Sequence, residues 1–122
     1  MNSAKSSRTP KSSPKTTPFQ ERVYAKLRDV PRGRVTTYGA LARVLKTSAR
    51  AIGQAMRRNP YAPEVPCHRV VAAVGSIGGF GGNTSGKKIR EKAFLLKRER
   101  INTTLKNEKL FIDDFEKRLH HW

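Results

Sequence analysis

Apolar residues at Phe19, Val23, Leu27 and Val30 recur at i, i+4, i+8 and i+11. That spacing is the stripe of an amphipathic helix over residues 18–30, and Pro31-Arg32-Gly33 ends it. The β-branched run Val35-Thr36-Thr37 predicts a short extended lead-in. Thr37 then caps a helix starting at Tyr38 or Gly39, whose buried side is Leu41, Ala42, Val44 and Leu45. Lys46-Thr47-Ser48 is a tight connection, and Ser48 caps a further helix over 49–58. In that helix Ala49, Ile52, Gly53 and Met56 share one face, while Arg50, Gln54, Arg57 and Arg58 share the opposite one. Ala51 and Ala55 lie beside the basic face and add almost no bulk.

Asn59-Pro60 stops the pattern, and Pro63 and Pro66 keep the next stretch extended. Residues 70–74 are β-prone, Gly75 makes a turn, and Ser76-Ile77 begins a return strand, which predicts a short hairpin or wing. Ile89, Ala93, Phe94, Leu96 and Arg100 predict a core helix over 87–100. Phe111, Phe115, Leu119 and Trp122 repeat the first spacing and predict an amphipathic C-terminal helix packed on the domain. The sum is a mainly α, winged helix-turn-helix-like DNA-binding domain with a short β-hairpin wing.

Charge strengthens that picture. The chain has 122 residues, with 26 Lys+Arg against 9 Asp+Glu and a formal charge of +17. So basic a surface repels itself and calls for a polyanion, nucleic acid first and an anionic membrane second. No apolar run is long enough to span a bilayer, and the N-terminus lacks the apolar core of a signal peptide. Residues 1–18 carry four basic residues, no acid and little that is apolar, so a disordered basic tail is expected there. The Ser/Thr-Pro-Lys pattern at Thr9-Pro10-Lys11 and Ser13-Pro14-Lys15 suits an electrostatic arm on DNA. Residues 19–101 form the expected domain, and 102–122 a C-terminal extension expected to be helical.

The candidate chemistry centres on Pro66-Cys67-His68-Arg69-Val70. Cys67 is the only cysteine, which fits a reducing compartment. Positive potential favours its thiolate. His68 is adjacent, but neighbours along an extended chain point to opposite sides, so contact needs a bridging water or a turn. Arg69 can hold the loop or the backbone. With no second cysteine or histidine cluster, neither a metal nor any other cofactor is expected. Gly75-Ser76-Ile77-Gly78-Gly79-Phe80-Gly81-Gly82 permits close approach of backbone to a ligand but lacks the phosphate-loop pattern.

The motif resembles the active-site sequence of the alkylguanine-DNA alkyltransferases. The likeness continues through residues 30–39, Ala49-Arg50-Ala51-Ile52-Gly53-Gln54-Ala55-Met56, Asn59-Pro60, the glycine run, and Leu95-Leu96 with Glu99, in the family's order over roughly residues 19–100. It implies that the chain flips alkylated guanine out of duplex DNA through the minor groove and takes the alkyl group irreversibly onto Cys67. His68 would accept the thiol proton, Glu99 would orient His68, Tyr38 would rotate the nucleotide and protonate the base, and Asn59 would be a hinge. Arg50 would fill the gap in the duplex, with Ala51, Gln54, Ala55, Arg57, Tyr38 and Arg69 also on DNA. Cys67 and Val70 carbonyls, Phe80, Gly81 and Gly82 would form the base pocket. Phe80 and Gly81 stand where many members carry tyrosine and serine, and the N-terminal α/β domain common in the family is replaced by the tail. The resemblance implies a monomer, nuclear in a eukaryote and otherwise cytoplasmic. A non-catalytic relative that marks alkylguanine for other repair factors is the alternative; retention of cysteine at 67 argues for transfer.

Overall fold

The structure, a computed structural model, describes residues 16–78 and 86–122. Helix α1 spans Pro18–Leu27. Thr17 caps it reciprocally with Gln20, and proline occupies the first turn, where its missing N–H costs nothing. Thr16 and Thr17, within the stretch expected to be a tail, bond to Glu21 and Gln20; residues 1–15 lie outside the described residues.

Strand β1 (Thr36–Thr37) runs into α2 (Tyr38–Leu45), with Thr37 as its N-cap. Lys46 closes α2 in the left-handed conformation, and Ser48 caps α3, Ala49–Arg57. The helix-turn-helix is therefore set by two hydroxyl caps and a single left-handed residue. Val44, expected inside, is exposed, because α2 turns its Leu41–Ala42 side to the core. A loop leads to a 3-10 turn at Cys67–Arg69 and to strand β2, Val70–Val71. Strand β2 pairs in parallel with β1, Thr36 opposite Val70. Helix α4 spans Gly86–Arg98.

The C-terminal segment departs from the helix expected of it. It forms strands β3 (Thr103–Lys106) and β4 (Lys109–Ile112), an antiparallel hairpin, followed by one short helix, α5 (Phe115–Arg118). Asn107 and Glu108 both take positive φ, the geometry of a two-residue hairpin turn. The wing expected over residues 70–77 is correspondingly reduced. Gly75 does turn the chain, and Ala72 N–H bonds to the Ser76 carbonyl, but Ser76 then pairs with Phe111 of β4.

Two apolar clusters result. The first joins α1, α2 and α3 with Val30, Val65 and Val70. The second gathers Val35, Val71, Ile77, Leu96, Ile101 and Ile112, with Phe115 and Leu119 packed against it. Phe94 is not part of either: it is 60% exposed on the outer side of α4. The site lies where the clusters meet, on the turn between Val65 and Val71.

A cysteine–histidine–glutamate site behind a basic helix

Proline at 66 and the bond from Cys67 N–H to the Val65 carbonyl fold the motif tightly. Because it is a 3-10 turn rather than extended chain, the opposite-sides argument for Cys67 and His68 does not apply. Cys67 is half-buried against the first cluster. His68 is buried, and its Nε2 lies 2.7 Å from Glu99 Oε2.

Glu99 is held by three partners. Arg69 donates from Nε and Nη2 (2.9 and 2.8 Å), and the Gly33 amide donates to Oε1 at 3.2 Å. Burial alone would raise its carboxyl, but Arg69, His68 and Gly33 outweigh burial and hold it at about 2. An ionised Glu99 accepts only, so Nε2 of His68 carries a proton and donates it. Burial lowers the His68 pKa, against the pull of Glu99. A neutral ring with its proton on Nε2 leaves a lone pair on Nδ1. That atom is buried and has no hydrogen-bond partner among the described residues. It is a free base on the residue next to the cysteine.

Lys92, whose place was not evident from the sequence, lies beside the same turn. Its Nζ donates to the Val70 carbonyl at 2.7 Å and lies 6.0 Å from the Tyr38 ring centre. Burial pulls its pKa down to about 8, opposed by the charge of Cys67. It was hidden among many lysines; the available signal was its register, since Lys92 and Leu96 on α4 and Glu99 just past its end fall at i, i+4 and i+7, on one side. Tyr38 is 7% exposed, and burial, then the charge of Cys67, pushes its phenol up to about 12, so it stays protonated. Asn59 bridges the loop: its Nδ2 donates to the Val65 carbonyl and its Oδ1 accepts from Tyr61 N–H. That ties the end of α3 to the turn bearing Cys67.

On α3, Arg50, Gln54 and Arg57 are exposed along one side, and Ala51 is half-buried. Ala55 faces inward instead, 1% exposed, with its carbonyl accepting from the Tyr24 hydroxyl at 2.8 Å. Arg69 is likewise committed internally, to Glu99 and to the Val30 carbonyl, and not to an outer surface. The Val70 carbonyl accepts from Lys92 and that of Cys67 from the Val70 amide; each keeps one lone pair for a ligand. Phe80, Gly81 and Gly82 lie outside the described residues.

A helix-turn-helix whose outer helix is basic, tied through Asn59 to the loop that leads into the turn carrying Cys67 and the Glu99-bound His68, defines a DNA-binding domain. The chain belongs to the family of the 6-O-methylguanine DNA methyltransferase DNA-binding domain, whose model matches residues 18–101. It is 49% identical over 89 residues to a methylated-DNA–protein-cysteine methyltransferase of Thermococcus sibiricus, covering 72% of this chain and 47% of that protein. The chain thus spans about half the length of the curated relatives it matches. Mycobacterium tuberculosis OGT, solved in complex with DNA, is 40% identical with a TM-score of 0.60, covering 70% of this chain and 51% of that one. S. pombe Atl1, solved with damaged DNA containing O6-carboxymethylguanine, gives a TM-score of 0.74 over 85% of this chain and 95% of that one; at 24% identity the likeness is one of fold.

Proposed function

We propose that this chain repairs O6-alkylated guanine in duplex DNA by moving the alkyl group to Cys67. The observation that carries this is the His68 ring, bound to ionised Glu99 through Nε2 and left with a buried Nδ1 that has no hydrogen-bond partner among the described residues, on the residue that follows the sole cysteine. His68 takes the thiol proton, directly or through a water. Cys67 Sγ then attacks the alkyl carbon, forming an S–C bond as the C–O6 bond of guanine breaks. The departing base takes a proton, for which the un-ionised phenol of Tyr38 is the donor. Lys92, a half-buried cation beside Tyr38, steadies the negative charge meanwhile. The thioether is stable, so one chain handles one lesion, and the site needs no cofactor.

The exposed basic face of α3 is the DNA-reading surface, with Arg50 the residue that fills the space left by the extruded base. Extrusion costs a few kcal/mol, offset by stacking of Arg50 and by pocket contacts. The partner is double-stranded DNA carrying alkylated guanine, met by a monomer, in the nucleus of a eukaryote or otherwise the cytoplasm.

Single-turnover assays with a duplex containing O6-methylguanine test the reading. The expected result is stoichiometric loss of methylguanine, at most one lesion per chain, and none with Cys67→Ser. Tight, damage-selective binding without loss of methylguanine would replace it by a binder that only marks the lesion. Arg50→Ala should slow duplex repair far more than reaction with free O6-benzylguanine; equal losses would remove Arg50 from base extrusion.

A further inference from the structure

Residues beyond 101 lie outside the matched family region, yet they bond to Val35 and to Arg100, the neighbours of the two residues Gly33 and Glu99 that meet at the carboxylate. We propose that Arg118 is a positioning residue for Glu99 and that residues 109–122 brace the site; this rests on the alkyl-transfer reading above.

The Glu99 carboxylate is fixed from two stretches of chain, and Arg118 holds both. On one side, Gly33 N–H donates to Glu99 Oε1. Two residues on, the main chain of Val35 is gripped by the C-terminal segment: Val35 N–H donates to the Arg118 carbonyl at 2.9 Å, and His120 N–H donates to the Val35 carbonyl at 2.8 Å. Arg34 adds a side-chain bond to the Lys117 carbonyl. On the other side, Arg100, the residue after Glu99, has φ +66°, a left-handed conformation unfavourable for arginine. Its carbonyl accepts from Arg118 Nη2 at 2.8 Å, which holds the corner in place. Leu119 and Phe115 seal the same junction from below, packed on the cluster of Val35, Val71, Leu96 and Ile101. Arg118 bonds to the Val35 and Arg100 peptides rather than to Cys67 or His68; it acts through the two peptides that set where the carboxylate sits. Since Glu99 fixes the His68 tautomer, loosening that corner weakens proton transfer without touching the DNA face of α3.

The test is the single-turnover rate at saturating alkylguanine duplex, measured beside duplex affinity and thermal midpoint. Arg118→Ala keeps the main-chain bonds to Val35 and removes only the clasp on Arg100. It should lower the limiting rate about tenfold with affinity within about twofold, and Arg118→Lys, which can still reach the Arg100 carbonyl, should recover most of the loss. Deleting residues 119–122 should show the same split. A limiting rate unchanged in Arg118→Ala would overturn the brace, as would equal falls in rate, affinity and midpoint that Arg118→Lys does not repair. Wild-type protein run alongside keeps the two readings apart: absence of transfer there counts against transfer itself. The brace is then judged from the His68 ring signals by NMR, which Arg118→Ala should shift; signals that stay put would overturn it.

Discussion

At the scale of single residues, one carboxylate holds both the Arg69 guanidinium and the neutral His68 ring. Glu99 neutralises Arg69 and orders His68, and its position decides which nitrogen of His68 is basic. Its carboxyl sits at about 2 in the folded chain against an ordinary 4.5. A depressed carboxyl contributes stability that is complete above the unfolded value and is lost as pH falls through the folded one. The thermal midpoint of the wild type should therefore drop between pH 5 and pH 2 more steeply than that of Glu99→Gln; parallel curves would refute the assignment. Arg69→Met strands the buried Glu99 charge, and should cost about 3–5 kcal/mol in denaturant unfolding. A DNA-facing Arg69 would instead show lost affinity at unchanged stability. Lys92→Met should slow alkyl transfer while leaving duplex affinity intact, checked by single-turnover kinetics. What the sequence made visible here was the set of residue types at Cys67, His68, Glu99 and Tyr38. The inward turn of Arg69 was not visible, because residue type alone does not say which way an arginine points, and this one is drawn inward by a carboxylate thirty residues further on.

Elements tell a similar story with a different cause. The three helices of the first half were legible from their apolar spacing, and α2 and α3 down to their caps, because Thr37 and Ser48 are strong local start signals, whereas the Thr17 cap of α1 fell in the stretch expected to be a tail. The C-terminal segment was misread because Phe111, Phe115 and Leu119 satisfy a helical spacing while belonging to a strand, a single helical turn and an extended strap. The competing hairpin signal was weak: Asn107 favours the turn, but Glu108 stands where glycine usually does. Ala55 shows the limit of periodicity within a correctly placed helix. It lies at the border of the basic face in sequence, yet the Tyr24 hydroxyl draws that edge of α3 onto α1. Ala55→Leu should overpack this contact and destabilise the fold by about 1–3 kcal/mol, whereas Arg50→Ala should leave the thermal midpoint unchanged. If Ala55→Leu were neutral in stability but weakened DNA binding, the helix would be rotated relative to this account.

For the whole molecule, charge and architecture divide the work. A net charge of +17 supplies a sequence-independent attraction to DNA that must weaken steeply with salt. Residues 1–15 contain four basic residues. Their removal should reduce the magnitude of the slope of log affinity against log salt by up to about 3.6, about 0.9 for each basic residue; an unchanged slope would show that the arm does not meet phosphate. The second apolar cluster is closed by the C-terminal hairpin and strap, so the region that the family model covers, residues 18–101, leans on chain outside it. The most direct measurement is the intact mass and peptide map of the protein after incubation with a duplex containing O6-methylguanine. One added methyl group is expected, carried by the peptide containing Cys67, with no gain on undamaged duplex. Protein that binds the damaged duplex tightly and emerges with its mass unchanged would contradict it.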